Sequence, residues 1–470
     1  MPRNVTAHRA LTRRVLAPTY DRLRGTHTMR SLSELEQTQW WPLERIEQLQ
    51  SERLQRLIHY AYERVPYYRR LMDSRGISPD CIRAAADLPL LPVLFKSDVR
   101  EHAGDLLAEG FPRRELVRGR TGGSTGTPLM FYSSRENRYS RGVARALRAL
   151  QWAGVHPGDA TVRIATHGSR GYASRLGPLA RFLSRETFVD SAAFSDASLP
   201  LVVQRIAQVR PRALRGFPSA LCIIAEFIRE SGVPTPEVGA VVTGAEQLFD
   251  EQRALLRDVF GSEPFDKYSS YENFDIAMEC EAHAGLHIAA EDLIVEIVDE
   301  DGHPVGPGRQ GYVVITSLHE SGMPFIRYCT DDESSFLNGA CACGRALPRL
   351  SHVVGKTGNT IYTPSGKRLS PFALHPSGVA AFGVRQFQLI QEQLDHVTVR
   401  VVPNTSLSPG DSQALAAAVG AHFGGALGDD VRVDVLLVDR IEPTPAGKHL
   451  FLISKVPRPP SSRPQSTEAA

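Results

Sequence analysis

Between about Leu116 and Gly261, short apolar runs alternate with helical stretches. Val202–Val209, Ala220–Ser231 and Asp250–Phe260 read as helices, while Ala240–Thr243 reads as a buried strand running into Gly244. A chain patterned this way must layer helices on sheets, because each strand's apolar face needs a cover. The expected class is α/β. Upstream, residues 30–75 read as helical. Leu43, Ile46 and Leu49 recur at three-residue spacing, then Leu54, Leu57, Ile58, Ala61 and Val65 at threes and fours, before Pro66 intervenes. Tyr67 and Tyr68 read as core aromatics. Leu293–Val298 and Tyr312–Thr316, separated by Asp301-Gly302 and a Pro/Gly stretch, form an expected hairpin with a long loop. Past about Gly355 the texture changes. Phe387–Ile390, Val397–Val402 and Val431–Ile441 read as strands around an Ala-rich helix, Ser412–Phe423, which makes a small α+β unit.

The expected organisation is a helical segment over 1–85, a core over 86–356, the small unit over 357–456 and a Pro/Ser-rich, disordered tail over 457–470. Charge narrows the function classes. With 54 Lys+Arg against 52 Asp+Glu the net charge is +2, which gives no global electrostatic case for nucleic acid or an anionic membrane. Runs such as Leu221–Ile228 are too short to span a bilayer, and the basic N-terminus lacks a continuous apolar stretch of the signal-peptide kind. Six cysteines in 470 residues make no disulfide scaffold. The expectation is a cytoplasmic protein.

The strongest local signal is Thr121-Gly-Gly-Ser-Thr-Gly-Thr-Pro128. A loop so dense in backbone N–H and hydroxyl donors can wrap phosphate oxygens, since glycine permits close approach and positive φ. It is not a P-loop, because no Lys follows the last glycine. A plain flexible connector is the competing reading. Further pieces follow in order: Gly244-Ala245-Glu246 after the predicted strand, Tyr268-Ser-Ser-Tyr-Glu272, Arg327-Tyr-Cys-Thr-Asp-Asp332 and Pro443-Thr-Pro-Ala-Gly-Lys448. Taken singly, Glu272 and Lys448 read as surface charges, Asp332 as a cap, and Tyr268 and Tyr271 as core aromatics.

Together, these pieces resemble the adenylate-forming superfamily and, more narrowly, the phenylacetate–coenzyme A ligase family. The resemblance runs from about Trp40 to Val456 and takes in Val65-Pro-Tyr-Tyr68, Gly216-Phe-Pro-Ser219, Gly285-Leu-His287 and Cys341-Ala-Cys-Gly-Arg345. It implies a large N-terminal domain of packed sheets and helices, a small mobile C-terminal domain, and an ATP-dependent ligase that forms acyl-AMP from a small carboxylic acid. The loop residues Thr121, Gly122, Gly123, Ser124, Thr125 and Gly126 would hold ATP phosphates, with Thr125 counted among the catalytic groups. Glu272 would bind Mg²⁺, for which a hard carboxylate oxygen suits. Asp332 would accept hydrogen bonds from both ribose hydroxyls. Gly244, Ala245, Glu246, Asp266, Tyr268 and Tyr271 would line the nucleotide and acyl pocket, and Lys448 would neutralise charge building at the α-phosphate.

The sequence departs from the family in several places. Leu129 stands where many superfamily members carry Lys, Ser269 replaces a glycine, and Cys329 and Asp331 flank Thr330. Gly355-Lys-Thr-Gly-Asn359 replaces the hinge sequence Gly-Arg-x-Asp-Asp; Lys356 can still meet phosphate as a point charge. That change leaves the acceptor open. Coenzyme A is the first expectation, an amine or a carrier protein the alternative, and a nucleotide-binding pseudoenzyme the reading from another class. A homodimer is compatible with the family.

Cys280, His287, Cys341 and Cys343 suggest a four-ligand Cys₃His zinc site stapling the ends of the hairpin, with His283 as a substitute for His287. Unliganded thiols are the competing reading. Cys222 and Cys329 read as packing residues, and His167 as a candidate acyl contact.

Overall fold

The computed structural model describes residues 8–120, 129–165, 185–191, 194, 197–354, 361–365, 368–369, 374, 382–403, 407–442, 450 and 452–456. The chain divides into two compact units, Met1–Gly355 and one beginning at Lys356.

The first unit opens with helices α1 (Ala17–Arg24), α2 (Thr28–Thr38), α3 (Leu43–Arg64) and α4 (Pro66–Arg75). α3 buries Ile46, Leu54, Leu57, Ile58 and Ala61, the stripe expected of a core-facing helix. Pro66 does not end helical structure; it starts α4, where its missing N–H costs nothing. Gly76 then closes α4 at φ +63, a conformation glycine adopts freely. Tyr68 is fully buried and bridges Pro324 and Ile326 through its hydroxyl.

A short helix, α5 (Lys96–Glu101), precedes the antiparallel pair β1 (Leu116–Arg120) and β2 (Met130–Ser134). After α6 (Gly142–Trp152) comes a parallel sheet in the order β4-β3-β5-β6, built from β3 (Thr161–Ala165), β4 (Glu186–Asp190), β5 (Ala213–Gly216) and β6 (Val241–Thr243). Helices α7 (Leu199–Val209), α8 (Pro218–Ser231) and α9 (Asp250–Phe260) supply Val203, Ile206, Leu221, Ile224 and Leu256 to the core that covers it. The predicted helix Asp250–Phe260 has those bounds in the structure.

A five-stranded sheet, in the order β13-β14-β9-β8-β7, combines β7 (Lys267–Ser270), β8 (Phe274–Glu279) and β9 (Leu286–Ile288) with β13 (Phe336–Leu337) and β14 (Arg349–Leu350). Between them in sequence, β10 (Leu293–Val298), β11 (Gly311–Ser317) and β12 (Tyr328–Ser334) form a three-stranded antiparallel sheet that contains the expected hairpin. A buried ionic network ties these parts together: Asp292 pairs with Arg53, Arg141 and His319, and Glu291 with Arg148. Burial of such charges is tolerated only because they are paired.

In the second unit, β15 (Ile361–Tyr362) pairs with β16 (Arg368–Leu369). A separate four-stranded sheet, in the order β19-β18-β17-β20, uses β17 (Val384–Gln393), β18 (His396–Pro403), β19 (Arg432–Leu437) and β20 (Leu452–Ser454). α10 (Pro409–Leu427) buries Leu415, Val419, Phe423 and Leu427 in this unit's own core with Leu389, Val397 and Val399. The Val431–Ile441 strand is shorter than its apolar run suggested. Among the described residues, no helix is long and apolar enough to cross a membrane.

Candidate active site

β12 carries two more residues than β11 between neighbouring pairs: Tyr312 faces Glu333, but Val314 faces Cys329. The surplus forms a bulge, a device that re-aims side chains. Asp331 adopts φ +64 within it. The segment ahead of α5 runs beside this strand, with Leu94 N–H donating to Arg327 O (2.9 Å) and Cys329 N–H to Leu94 O (3.0 Å). Lys96 Nζ then donates to Thr330 O at 3.1 Å and pairs with the Asp331 carboxylate. Arg327, buried against Glu296 at 3.0 Å, also donates to Leu91 O and Gly302 O, which fixes the start of the strand.

From this bulge Asp332 reaches Tyr268 on β7, whose hydroxyl donates to its carboxylate at 2.7 Å and lies 3.2 Å from Thr330 Oγ1. In the reverse direction, Tyr328 on β12 donates to Glu272 Oε1 at 2.7 Å. Each strand's tyrosine thus holds the carboxylate borne by the other segment. Burial first, and then the adjacent carboxylate, push both phenols well above their ordinary range, so both act as neutral donors. The turn bearing Glu272 is held from behind, where fully buried Arg145 of α6 donates to Asn273 O at 2.8 Å.

The Gly244-Ala245-Glu246 segment lies beside β7. A methyl group on Gly244 would sit 3.0 Å from Lys267 O, a tight contact that glycine avoids. Ala245 is left-handed at φ +66, and Glu246 accepts from Ser219 N–H at 3.2 Å in the first turn of α8, where the helix dipole favours an anion. Asp266 is buried with its carboxylate against Thr243 Oγ1 (3.0 Å) and Lys267 N–H (2.9 Å); burial and then the Glu279 carboxylate raise it to about 6. Tyr271 is exposed on the turn. The structure therefore brings Glu272, Asp332 and Tyr268 together. The loop residues Thr121–Gly126, together with His167, Lys356 and Lys448, lie outside the described residues. Sequence reasoning gave no role to Tyr328, Lys96 or Arg145. Tyr328 sat inside a quoted motif, whereas nothing local marked the other two.

Cys280, His287, Cys341 and Cys343 converge, with one donor atom from each lying within 4.8 Å of the others. Cys280 and Cys341 sulfurs are 3.6 Å apart, close to the roughly 3.8 Å that two thiolates span on a tetrahedral zinc. His287 Nδ1 lies 3.1 Å from Leu347 O and its Nε2 lies 3.3 Å from Cys343 Sγ, an arrangement that fixes the tautomer and turns Nε2 to the cluster. Burial lowers the His287 imidazole to about 4, which keeps it neutral, and raises the Cys280 thiol to about 12. His283 instead faces Glu279 at 3.2 Å. The expected place of the staple is corrected: the cluster joins the β8–β9 turn to the β13–β14 connection, not the ends of the β10–β11 hairpin, because β14 pairs with β9. Cys222 and Cys329 are buried, as packing residues would be.

The model of the CapK C-terminal domain matches residues 361–455. A phenylacetate–coenzyme A ligase of Thermus thermophilus is 33% identical over 326 residues, 67% of this chain and 71% of the relative. Another from Aromatoleum evansii is 26% identical over 434 residues, covering 87% of this chain and 94% of the relative. Among solved structures, 2-hydroxyisobutyryl-CoA ligase in its postadenylation state superposes with a TM-score of 0.73 at 22% identity, over 88% of this chain and 90% of that one. Fold and sequence define an adenylate-forming ligase with a small C-terminal domain. Within that class, the chain belongs to the phenylacetate–coenzyme A ligase family.

Proposed function

We propose that this ligase activates a small carboxylic acid with ATP and passes the acyl group to coenzyme A. A carboxylate is a poor acyl donor because its leaving group would be oxide. One carboxylate oxygen attacks the α-phosphorus, the bond to the β-phosphate bridge breaks, and pyrophosphate leaves. The thiol sulfur of the acceptor then attacks the acyl carbon, its proton is released, and AMP departs. The observation that carries this reading is the crossed pair, Tyr268 with Asp332 and Tyr328 with Glu272, which holds one carboxylate on β12 and another on the turn after β7.

Asp332 takes both ribose hydroxyls, a task for two acceptor oxygens on one rigid group. Glu272 takes Mg²⁺. Among the described residues it forms no ion pair, and the Tyr328 hydroxyl that meets it is a neutral phenol, so the donor chemistry fits a hard cation. The ion, when bound, offsets phosphate charge. The Thr121–Gly126 donors, Thr125 among them, hold the phosphates, and Lys356 offers them a further charge. Gly244, Ala245, Glu246, Asp266 and Tyr271 surround the nucleotide and acyl group, and Lys448 steadies charge growing at the α-phosphate. Catalysis then rests on positioning and electrostatics, with no covalent enzyme intermediate. Cys280, His287, Cys341 and Cys343 hold a structural zinc with no part in the chemistry.

The family relatives named for coenzyme A thioester formation support the acceptor. The test is AMP formation across aryl, aliphatic and amino acids, with and without coenzyme A. The expected result is one preferred acid, with turnover and a thioester product that need coenzyme A. Adenylation indifferent to coenzyme A would move the acceptor to an amine or a carrier protein, in keeping with the altered sequence at Gly358 and Asn359.

A further inference from the structure

We propose that Tyr328 is a positioning residue for the metal-binding carboxylate: its hydroxyl fixes the Glu272 rotamer so that the second oxygen is presented to the divalent cation that accompanies ATP. This rests on the reading of Glu272 as the magnesium ligand.

Three observations carry it. Tyr328 has no solvent exposure, and its ring stacks on Phe325 with centroids 4.8 Å apart, so its hydroxyl is delivered from a fixed body. That hydroxyl meets Glu272 Oε1 at 2.7 Å, within the short range of a hydrogen bond to an ionised acceptor. The backbone below Glu272 is fixed as well. Arg145 holds Asn273 O, Ser270 Oγ accepts from Asn273 N–H at 3.0 Å, and Gly142 lies so close to Phe274 that a methyl group there would meet the ring at 2.9 Å. A glutamate on a half-exposed turn otherwise samples several rotamers, and ordering it at the moment of metal binding would cost affinity. With both backbone and carboxylate held, that ordering is already complete. Tyr268 does the same for Asp332, so the two hydroxyls serve different ligands, one the metal and the other the ribose.

This division makes the test selective. Mn²⁺ serves as a paramagnetic probe, titrated by electron paramagnetic resonance against the full-length protein with an α,β-methylene ATP analogue. Binding of the analogue is measured separately without metal. Tyr328→Phe keeps the stacked ring and removes only the hydroxyl. It is expected to weaken Mn²⁺ in the ternary complex about tenfold, the effect of losing one hydrogen bond to a charged group, and to leave metal-free analogue binding within twofold. Tyr268→Phe is expected to do the reverse. Glu272→Gln checks the underlying reading: if it leaves Mn²⁺ affinity at the wild-type level, Glu272 is not the metal ligand. If Glu272→Gln weakens the metal but Tyr328→Phe does not, the positioning role is overturned. Equal loss of metal and metal-free analogue binding in Tyr328→Phe would also overturn it, since that is the mark of a merely structural residue.

Discussion

Asp266 is surrounded by protein, and burial together with the Glu279 carboxylate raises its carboxyl from 3.8 to about 6. Between those values the folded chain holds a proton that the unfolded chain has released. Its stabilising contribution is therefore complete below about pH 4 and is lost as pH rises through about 6. Asp266→Asn imitates the protonated form. It is expected to raise the unfolding temperature at pH 7.5, by an amount equivalent to at most about 3 kcal/mol, with the gain shrinking toward pH 5. Thermal melts of both proteins across that range provide the check. A second expectation concerns Asp332. On the proposed ribose contact, its replacement by Ala should raise the KM for ATP at least tenfold, measured beside 2′-deoxy-ATP, for which the penalty should be smaller. Glu272 and Asp332 were legible in the sequence because several motifs occur in order. Tyr328 and Lys96 were not, because their partners, Glu272 on a distant turn and Asp331 in the β12 bulge, lie far from them in sequence or depend on a bulge that no spacing encodes.

The elements show the same limits from another side. The helix Asp250–Phe260 was readable because its apolar residues repeat locally and Gly261 closes it at φ +72. The four residues of the Cys/His cluster were readable as a group, but their place in the fold was not. The pairing of β14 with β9 brings Arg349 opposite His287 across a long stretch of chain, and strand order is not a local property. Metal analysis of the purified protein is expected to find one zinc per chain. Cys341→Ser should lower that content and the unfolding temperature together, while the adenylation rate well below the melt changes little. For the β12 bulge, Lys96→Met leaves Asp331 without its partner. The pair is partly exposed, so the expected loss is about 1 kcal/mol by denaturant unfolding, with a charge-reversed double variant recovering part of it.

At the scale of the molecule, two separately cored units match the fold of an adenylate-forming ligase with a small C-terminal domain. The Ala-rich helix α10 and the apolar runs of β17 and β18 marked the small unit, because its core forms from contacts within about a hundred residues. The acid is not encoded so openly, since on the proposed reading the acyl pocket would be shaped by side chains scattered between about 117 and 275. Lys448 belongs to the central claim, which is that carboxylate activation proceeds through acyl-AMP. The most direct measurement is the exchange of labelled pyrophosphate into ATP across a panel of carboxylic acids, without coenzyme A, for the wild type and Lys448→Ala. The account predicts exchange that depends on one class of acid and falls at least a hundredfold in the variant. Absence of exchange with every acid, or exchange that is independent of the acid, would contradict it.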